Sequence, residues 1–242
     1  MKKRIRQFYE SAGWLTKGVL YHRGKHGSGV KENTIEAFKG AIEDNLGVEL
    51  DVRLTKDKQV VVSHDGNLKR VFGVDKIIEE SIYDDIKEYV PLFKDVLNLI
   101  DDKIGVMVEI KSDKVGDLEE ETYKLLKEYR GRYVIVSFNP FTLRYFRKKD
   151  SSIIRGQLSY SYKDSKMNFL FKIALRNLWL NVFSKPHFIS YGIKGYNYKL
   201  LNKFKKRGCF IIGWTYNNDR DKLELKKVFD NMIIEDLSIR EF

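Results

Sequence analysis

Five side chains of this 242-residue chain combine proton-transfer and metal-ligand chemistry at one recurring position: His22, Glu49, Asp51, His64 and Glu109 all sit where apolar runs end. Val19-Leu20-Tyr21 leads into His22, and Val48 and Leu50 interleave with Glu49 and Asp51. Val60-Val61-Val62 leads towards His64, and Val106-Met107-Val108 into Glu109. Polar groups at the ends of several strands are how a barrel of parallel strands builds an active site. Three carboxylates point to a hard divalent cation, Mg2+ or Ca2+, with water completing the shell. Two imidazoles, which titrate near neutral pH, point to proton transfer. Glu49 and Asp51 are two apart and share one face of a strand, where a cation relieves their repulsion. Lys111 stands two residues after Glu109, and Arg23 follows His22. Both can bind phosphate oxygens, Arg as a fork and Lys as a point charge.

The elements that must carry these residues alternate along the chain. Strand-like runs occupy 19–22, 47–52, 59–64, 104–110, 133–137, 153–158, 188–191, 209–214 and 231–234. Helical patterns lie near 33–45, 91–101, 117–130, 140–149, 165–183, 197–207 and 218–229. Asn33 reads as the N-cap of the first, with Glu36 as its capping-box partner. The strands are rich in Val and Ile, as expected when both faces are covered. Nine strands are one too many for an eight-stranded barrel. Only 12 residues separate Asp51 from His64, too few for a helical crossover to a parallel strand. A tight hairpin between Asp57 and Lys58 fits and sets Asp51 opposite His64. The expected architecture is therefore a single α/β domain, 1–242, a TIM-type (β/α)8 barrel with an extra hairpin arm carrying His64. The 44 residues between His64 and Glu109 leave room for a short loop and one helix.

Composition narrows the class. At 43% hydrophobic the chain can bury a full core, and with 3 Pro and dispersed Gly no linker is visible. The net charge of +11 favours anionic partners: phosphate-bearing substrates, anionic lipid or nucleic acid. No motif of fixed spacing marks a nucleic-acid binder, so none is expected as a partner. The lone Cys209 reads as a buried structural thiol. The basic N-terminus lacks the apolar core of a secretory signal; it reads as a short amphipathic helix, and a cytoplasmic location is expected.

Beyond the opening five, matching pieces run the length of the chain: His22-Arg23-Gly24, Glu32-Asn33-Thr34 with Ala37-Phe38, and Glu49-Leu50-Asp51-Val52. Then come Thr55-Lys56-Asp57, His64-Asp65 with Leu68 and Arg70, Glu109-Ile110-Lys111, Ser137-Phe138, and Trp214-Thr215 with Asn217. In this set and order the chain resembles the glycerophosphodiester phosphodiesterases. The resemblance implies a barrel of the phosphatidylinositol-phospholipase-C type. It implies His22 and His64 as the acid–base pair and Glu49, Asp51 and Glu109 as metal ligands. Arg23 and Lys111 would contact phosphate, Trp214 would line the organic part of the substrate, and Glu32 would shape its loop. The substrate class implied is a small or lipid-derived phosphodiester, with a lysophospholipase D or sphingomyelinase-D-like specificity as the alternative. The intact histidines and carboxylates speak against a non-catalytic lipid-binding barrel. Three departures stand out: Lys31 occupies a position the family commonly gives to Pro, His26 adds a loop histidine read as solvent-exposed, and the last strand ends Ile234-Glu235-Asp236.

One segment fits none of this. Residues 165–183 have a wide apolar face with Asn168, Lys172, Arg176 and Asn181 as a narrow polar stripe. The basic residues argue against a membrane span. One reading is an ordinary barrel helix. The other is an interfacial helix with Phe169, Phe171, Trp179 and Phe183 dipping into lipid, which would make the protein peripheral at a membrane.

Overall fold

The computed structural model describes residues 2–163, 165–218, 220–235, 237–239 and 241–242; the Asp236 departure therefore lies outside the described residues. The chain opens on helix α1 (Lys2–Ala12) and divides into two compact units. One is Leu20–Tyr133; the other joins Met1–Val19 to Val134–Phe242.

The unit Leu20–Tyr133 carries β1 (Leu20–His22), α2 (Ile35–Glu43), β2 (Gly47–Leu54) and β3 (Val60–Val62). It continues with α3 (Lys69–Phe72), α4 (Phe93–Ile100), β4 (Val106–Ile110) and α5 (Asp117–Glu128). β1 and β4 lie parallel on either side of β2, with His22 in register with Glu49 and Asp51 in register with Glu109. All five residues of β4 are buried, which accounts for its nearly continuous apolar run. α4 buries Phe93, Val96, Leu97 and Ile100, the i, i+3, i+4, i+7 stripe of an amphipathic helix.

β3 runs antiparallel to β2, but the register differs from the sequence expectation. Val52 pairs with Val62 and Leu54 with Val60, so Asp51 meets Ser63, whose N–H donates to Asp51 O at 3.0 Å, rather than His64. The reason is the turn. Thr55 pairs with Gln59 across a three-residue loop, with Lys58 at φ 63°. The Thr55 hydroxyl donates to Asp57 Oδ1 at 2.6 Å and accepts from the Gln59 N–H at 2.9 Å. A three-residue loop shifts the pairing by one relative to a two-residue turn. His64 consequently lies beyond β3, in the loop that follows it.

That loop also departs from expectation. Instead of one helix, α3 and two 3-10 turns (Ile78–Glu80, Tyr83–Asp85) precede α4. They enclose a small core of Val61, Leu68, Ile78, Ile86 and Val90. Apolar residues spaced this unevenly, and interrupted by Gly66 and Gly73, cannot line one helical face. Lys31, at the family's Pro position, lies over the Phe72 ring at 4.6 Å.

The second unit holds β5 (Tyr133–Ser137, whose first residue belongs to the other unit), α6 (Pro140–Lys149), β6 (Arg155–Ser159), α7 (Phe169–Arg176) and α8 (Asn181–Ser184). β7 (Phe188–Gly192), α9 (Tyr198–Lys205), β8 (Ile211–Tyr216), α10 (Lys222–Lys226) and β9 (Asn231–Ile234) complete it. β5 to β9 pair in sequence order, all parallel. Phe8 of α1 packs on Phe188 and Phe210 at 5.6 and 4.8 Å between ring centres. His187 receives the Arg155 N–H at Nδ1 and bonds Gln7 Oε1 through Nε2 at 3.1 Å, tying α1 to the strands. The single helix expected over 165–183 is two, separated by a turn in which Leu178 has φ 60°. Cys209 is half-buried rather than fully buried, and burial pushes its thiol up to about 12, leaving it inert at neutral pH.

Candidate active site

The site is assembled on β2. Period-two geometry puts Glu49 and Asp51 on one face; β4 brings Glu109 beside Asp51 and β1 brings His22 beside Glu49. Oxygens of Glu49, Asp51 and Glu109 all lie within 4.8 Å of one another, and all three residues are buried. His22 Nε2 stands 4.0 Å from Glu49 Oε2. Lys111 Nζ bridges Asp51 Oδ1 at 3.0 Å and Glu109 Oε1 at 2.7 Å.

The turn after β1 explains the His-Arg-Gly sequence. Arg23 and Gly24 take φ of 58° and 82°. A Cβ on Gly24 would come within 2.8 Å of Ala37 Cβ, so glycine is required by both conformation and contact. The turn returns the chain so that the Arg23 N–H donates to Glu49 O at 2.8 Å. The Arg23 guanidinium donates to Glu32 Oε1 at 2.8 Å and lies 3.4 Å from Asp51 Oδ2.

Three participants were not read from the sequence as site residues. Asn33 is not the cap of α2: Thr34 is, accepting from the Ala37 N–H. Asn33 adopts φ 56° and donates through Nδ2 to Asp51 Oδ2 at 2.9 Å. Asp65 accepts from His64 Nδ1 at 2.6 Å. Arg70 donates Nε to Asp65 at 2.5 Å and both terminal nitrogens to Glu32 at 2.9 and 2.6 Å. One network thus runs from His64 through Asp65, Arg70 and Glu32 to Arg23. The signal for Asp65 and Arg70 was only their place in the family motif. Arg53 fixes the His64 backbone by donating to its carbonyl at 2.9 Å. His26, expected to be exposed, is half-buried.

The electrostatics follow from burying three carboxylates together. Burial, then Asp51 and Glu109, push the Glu49 carboxyl well above the usual range. Burial drives Glu109 up to about 7 against the pull of Lys111, with Asp51 adding to the rise. Burial would raise Asp51 too, but Lys111, Arg23, His64 and Asn33 outweigh it and hold that carboxyl low. Burial lowers the His64 pKa despite Asp51. The donor set is all oxygen, its crowding and burial make two of the three carboxyls resist ionisation, and Asn33 Oδ1 is a buried acceptor with no hydrogen-bond partner among the described residues. These features fit a hard divalent cation.

Trp214 belongs to the other unit, on β8. Its indole meets Phe138 edge-on at 5.7 Å and Tyr160 at 6.1 Å. Gly192 leaves space for this cluster, since a Cβ there would fall 2.9 Å from Tyr160 Cβ. Trp214 Nε1 is buried without a hydrogen-bond partner among the described residues.

Residues 22–237 match the glycerophosphoryl diester phosphodiesterase family. The chain is 30% identical to a glycerophosphodiester phosphodiesterase of Caldanaerobacter subterraneus subsp. tengcongensis, covering 90% of this chain and 93% of that one. Its structure resembles a glycerophosphodiester phosphodiesterase of Thermotoga maritima (TM-score 0.72, 28% identity, 90% and 93% coverage). It also resembles an Oleispira antarctica phosphodiesterase solved with the product sn-glycerol-3-phosphate (TM-score 0.74, 21% identity, 93% and 94% coverage). The fold is the parallel eight-stranded β/α barrel of these enzymes.

Proposed function

Because the chain belongs to the glycerophosphoryl diester phosphodiesterase family and is a hydrolase of glycerophosphodiesters, we propose that its products are glycerol-3-phosphate and a free alcohol, and that His22 and His64 carry the proton transfers. The observation that supports this most is the convergence of Glu49, Asp51 and Glu109 within 4.8 Å of one another, with Lys111 paired to Asp51 and Glu109 and His22 beside Glu49.

Glu49, Asp51 and Glu109 would hold Mg2+ or Ca2+. Such an ion, when bound, would polarise the phosphodiester and offset charge on its oxygens. Arg23, oriented by Glu32, and Lys111 bind the phosphoryl oxygens. His64 serves as the base towards the attacking group: water, which gives glycerol-3-phosphate directly, or the substrate's own glycerol hydroxyl, which gives a cyclic phosphate that water then opens to glycerol-3-phosphate. Two features support this: burial favours its neutral ring, and Asp65 engages Nδ1, leaving Nε2 as the acceptor. His22 protonates the leaving alcohol. Trp214 is the residue whose place in the family motif offers it for the organic part of the substrate, and its unpartnered indole N–H supports that reading. Cytoplasmic placement and the absence of nucleic-acid partners belong to the same proposal.

The test is release of glycerol-3-phosphate from glycerophosphocholine, with and without a chelator. Mg2+ or Ca2+ should restore turnover after chelation. Choline release from lysophosphatidylcholine with no glycerol-3-phosphate from the soluble diester would instead assign lysophospholipase D specificity. Unchanged turnover in chelator would refute the carboxylate assignment.

A further inference from the structure

The segment from 163 to 185 is where the molecule shows an apolar surface that its own fold does not use. Seven of the fourteen exposed large apolar side chains among the described residues fall between Met167 and Phe183, a concentration that scattered surface exposure does not produce. α7 buries only Leu175 among its eight residues. Phe169 and Leu170 at its start are 72% and 73% exposed, and Trp179 and Val182 on the following turn and helix are 62% and 66% exposed. Phe183 extends the ridge by meeting Phe141 of α6 at 5.8 Å between ring centres. A helix that packed against strands in the ordinary way would turn such residues inward.

The charge around the ridge is one-sided. Lys163, Lys166, Lys172, Arg176 and Lys185 lie in this stretch against the single acidic residue Asp164. Beside Trp179 and Val182 runs an open groove of about 690 Å³ whose lining includes Arg4, Lys185, Lys203 and Arg207, with no acidic residue. Among the described residues, none of these four forms an ion pair with a carboxylate. An apolar ridge beside a cationic groove is the complement of one kind of surface: acyl chains beneath a layer of phosphate headgroups.

We propose that α7, α8 and the adjoining groove dock the protein on anionic bilayers, the ridge entering the interface while Arg4, Lys185, Lys203 and Arg207 meet lipid phosphates. No described helix is long and apolar enough to cross a membrane, so the attachment is peripheral and reversible. It does not depend on the phosphodiesterase reading, because none of its residues belongs to the active site.

The experiment is co-sedimentation of the full chain with phosphatidylcholine vesicles, with and without phosphatidylglycerol. Binding is expected to the anionic vesicles at about 0.1 M salt and to weaken as salt is raised. Two double variants separate the two contributions. Phe169→Ser/Leu170→Ser removes exposed apolar area without touching the core, and Lys203→Glu/Arg207→Glu reverses the groove charge. Each should lower partitioning by about tenfold or more, while turnover of a water-soluble diester stays at the wild-type level. Absence of binding to anionic vesicles would overturn the proposal. So would equal binding to neutral vesicles that charge reversal leaves unchanged. Sedimentation velocity without lipid provides the remaining outcome: a dimer dissolved by Phe169→Ser/Leu170→Ser would assign the ridge to a second copy of the chain and overturn the lipid assignment.

Discussion

Arg70 touches neither a proposed metal ligand nor the proposed phosphate binders, yet it is the only link between the His64–Asp65 pair and the Glu32–Arg23 pair in the described network. Its five donors in a fixed fork can serve Asp65 and Glu32 together, which a lysine cannot. Arg70→Lys is therefore expected to lower kcat by about tenfold or more with little change in KM; steady-state kinetics on a soluble diester decide it, and an unchanged kcat would remove the positioning role. His22→Asn and His64→Asn should each lower kcat by roughly 100-fold to 10,000-fold with the circular dichroism spectrum intact. Glu49→Gln is expected to act in opposite directions on two readouts. It relieves the crowding of three buried carboxylates and raises Tm without metal, and it removes the further Tm rise that saturating Mg2+ or Ca2+ gives the wild type, a gain of about 2.7 kcal/mol at a hundredfold excess over Kd. A metal-induced rise that survives in the variant would exclude Glu49 as a ligand. At this scale the sequence was legible wherever residue type coincided with a strand end, as at Glu49, Asp51 and Glu109. Asn33 was not, because before a helix an asparagine reads as a cap; its left-handed backbone, which turns the amide onto Asp51, has no signature in composition.

Strands were readable because burial on both faces leaves long Val and Ile runs; turns and breaks were harder. The hairpin register was missed by one because the choice between two and three loop residues rests on Lys58 adopting a left-handed conformation with no glycine to announce it. The break within 165–183 falls at Leu178, again with no glycine or proline. The small core around Ile78 was invisible as a unit because its members come from four short pieces. Ile78→Ala should cost about 2–5 kcal/mol locally, and hydrogen exchange should show the loss of protection confined to the stretch between β3 and α4. His187 gives a pH signature at the seam between α1 and β6. Burial, with Arg155 and Arg4 adding to it, depresses its pKa from 6.5 to about 3. As pH falls below about 6.5 the unfolded chain takes up a proton that the folded chain refuses, so stability declines between pH 6.5 and 3. His187→Gln should flatten the slope of Tm against pH in that window; an unchanged slope would show that this histidine is not the group responsible.

For the whole molecule, the surplus of +11 bears on substrate encounter as well as on the proposed attachment. An anionic diester approaching such a surface is steered towards it, so kcat/KM should fall with rising ionic strength while kcat changes less; stopped assays at graded salt measure this. A further consequence comes from where the two kinds of function lie along the chain. The carboxylates, both histidines and the cations proposed to bind phosphate are all drawn from residues 22–111, whereas Trp214, Phe138 and Tyr160 belong to the unit that joins Met1–Val19 to Val134–Phe242. The chemistry that every phosphodiester shares and the surface proposed to read its alcohol are therefore written in separate stretches of the gene. On that proposal, recombination or mutation after residue 133 explores new head groups while inheriting the proposed bond-breaking residues unchanged.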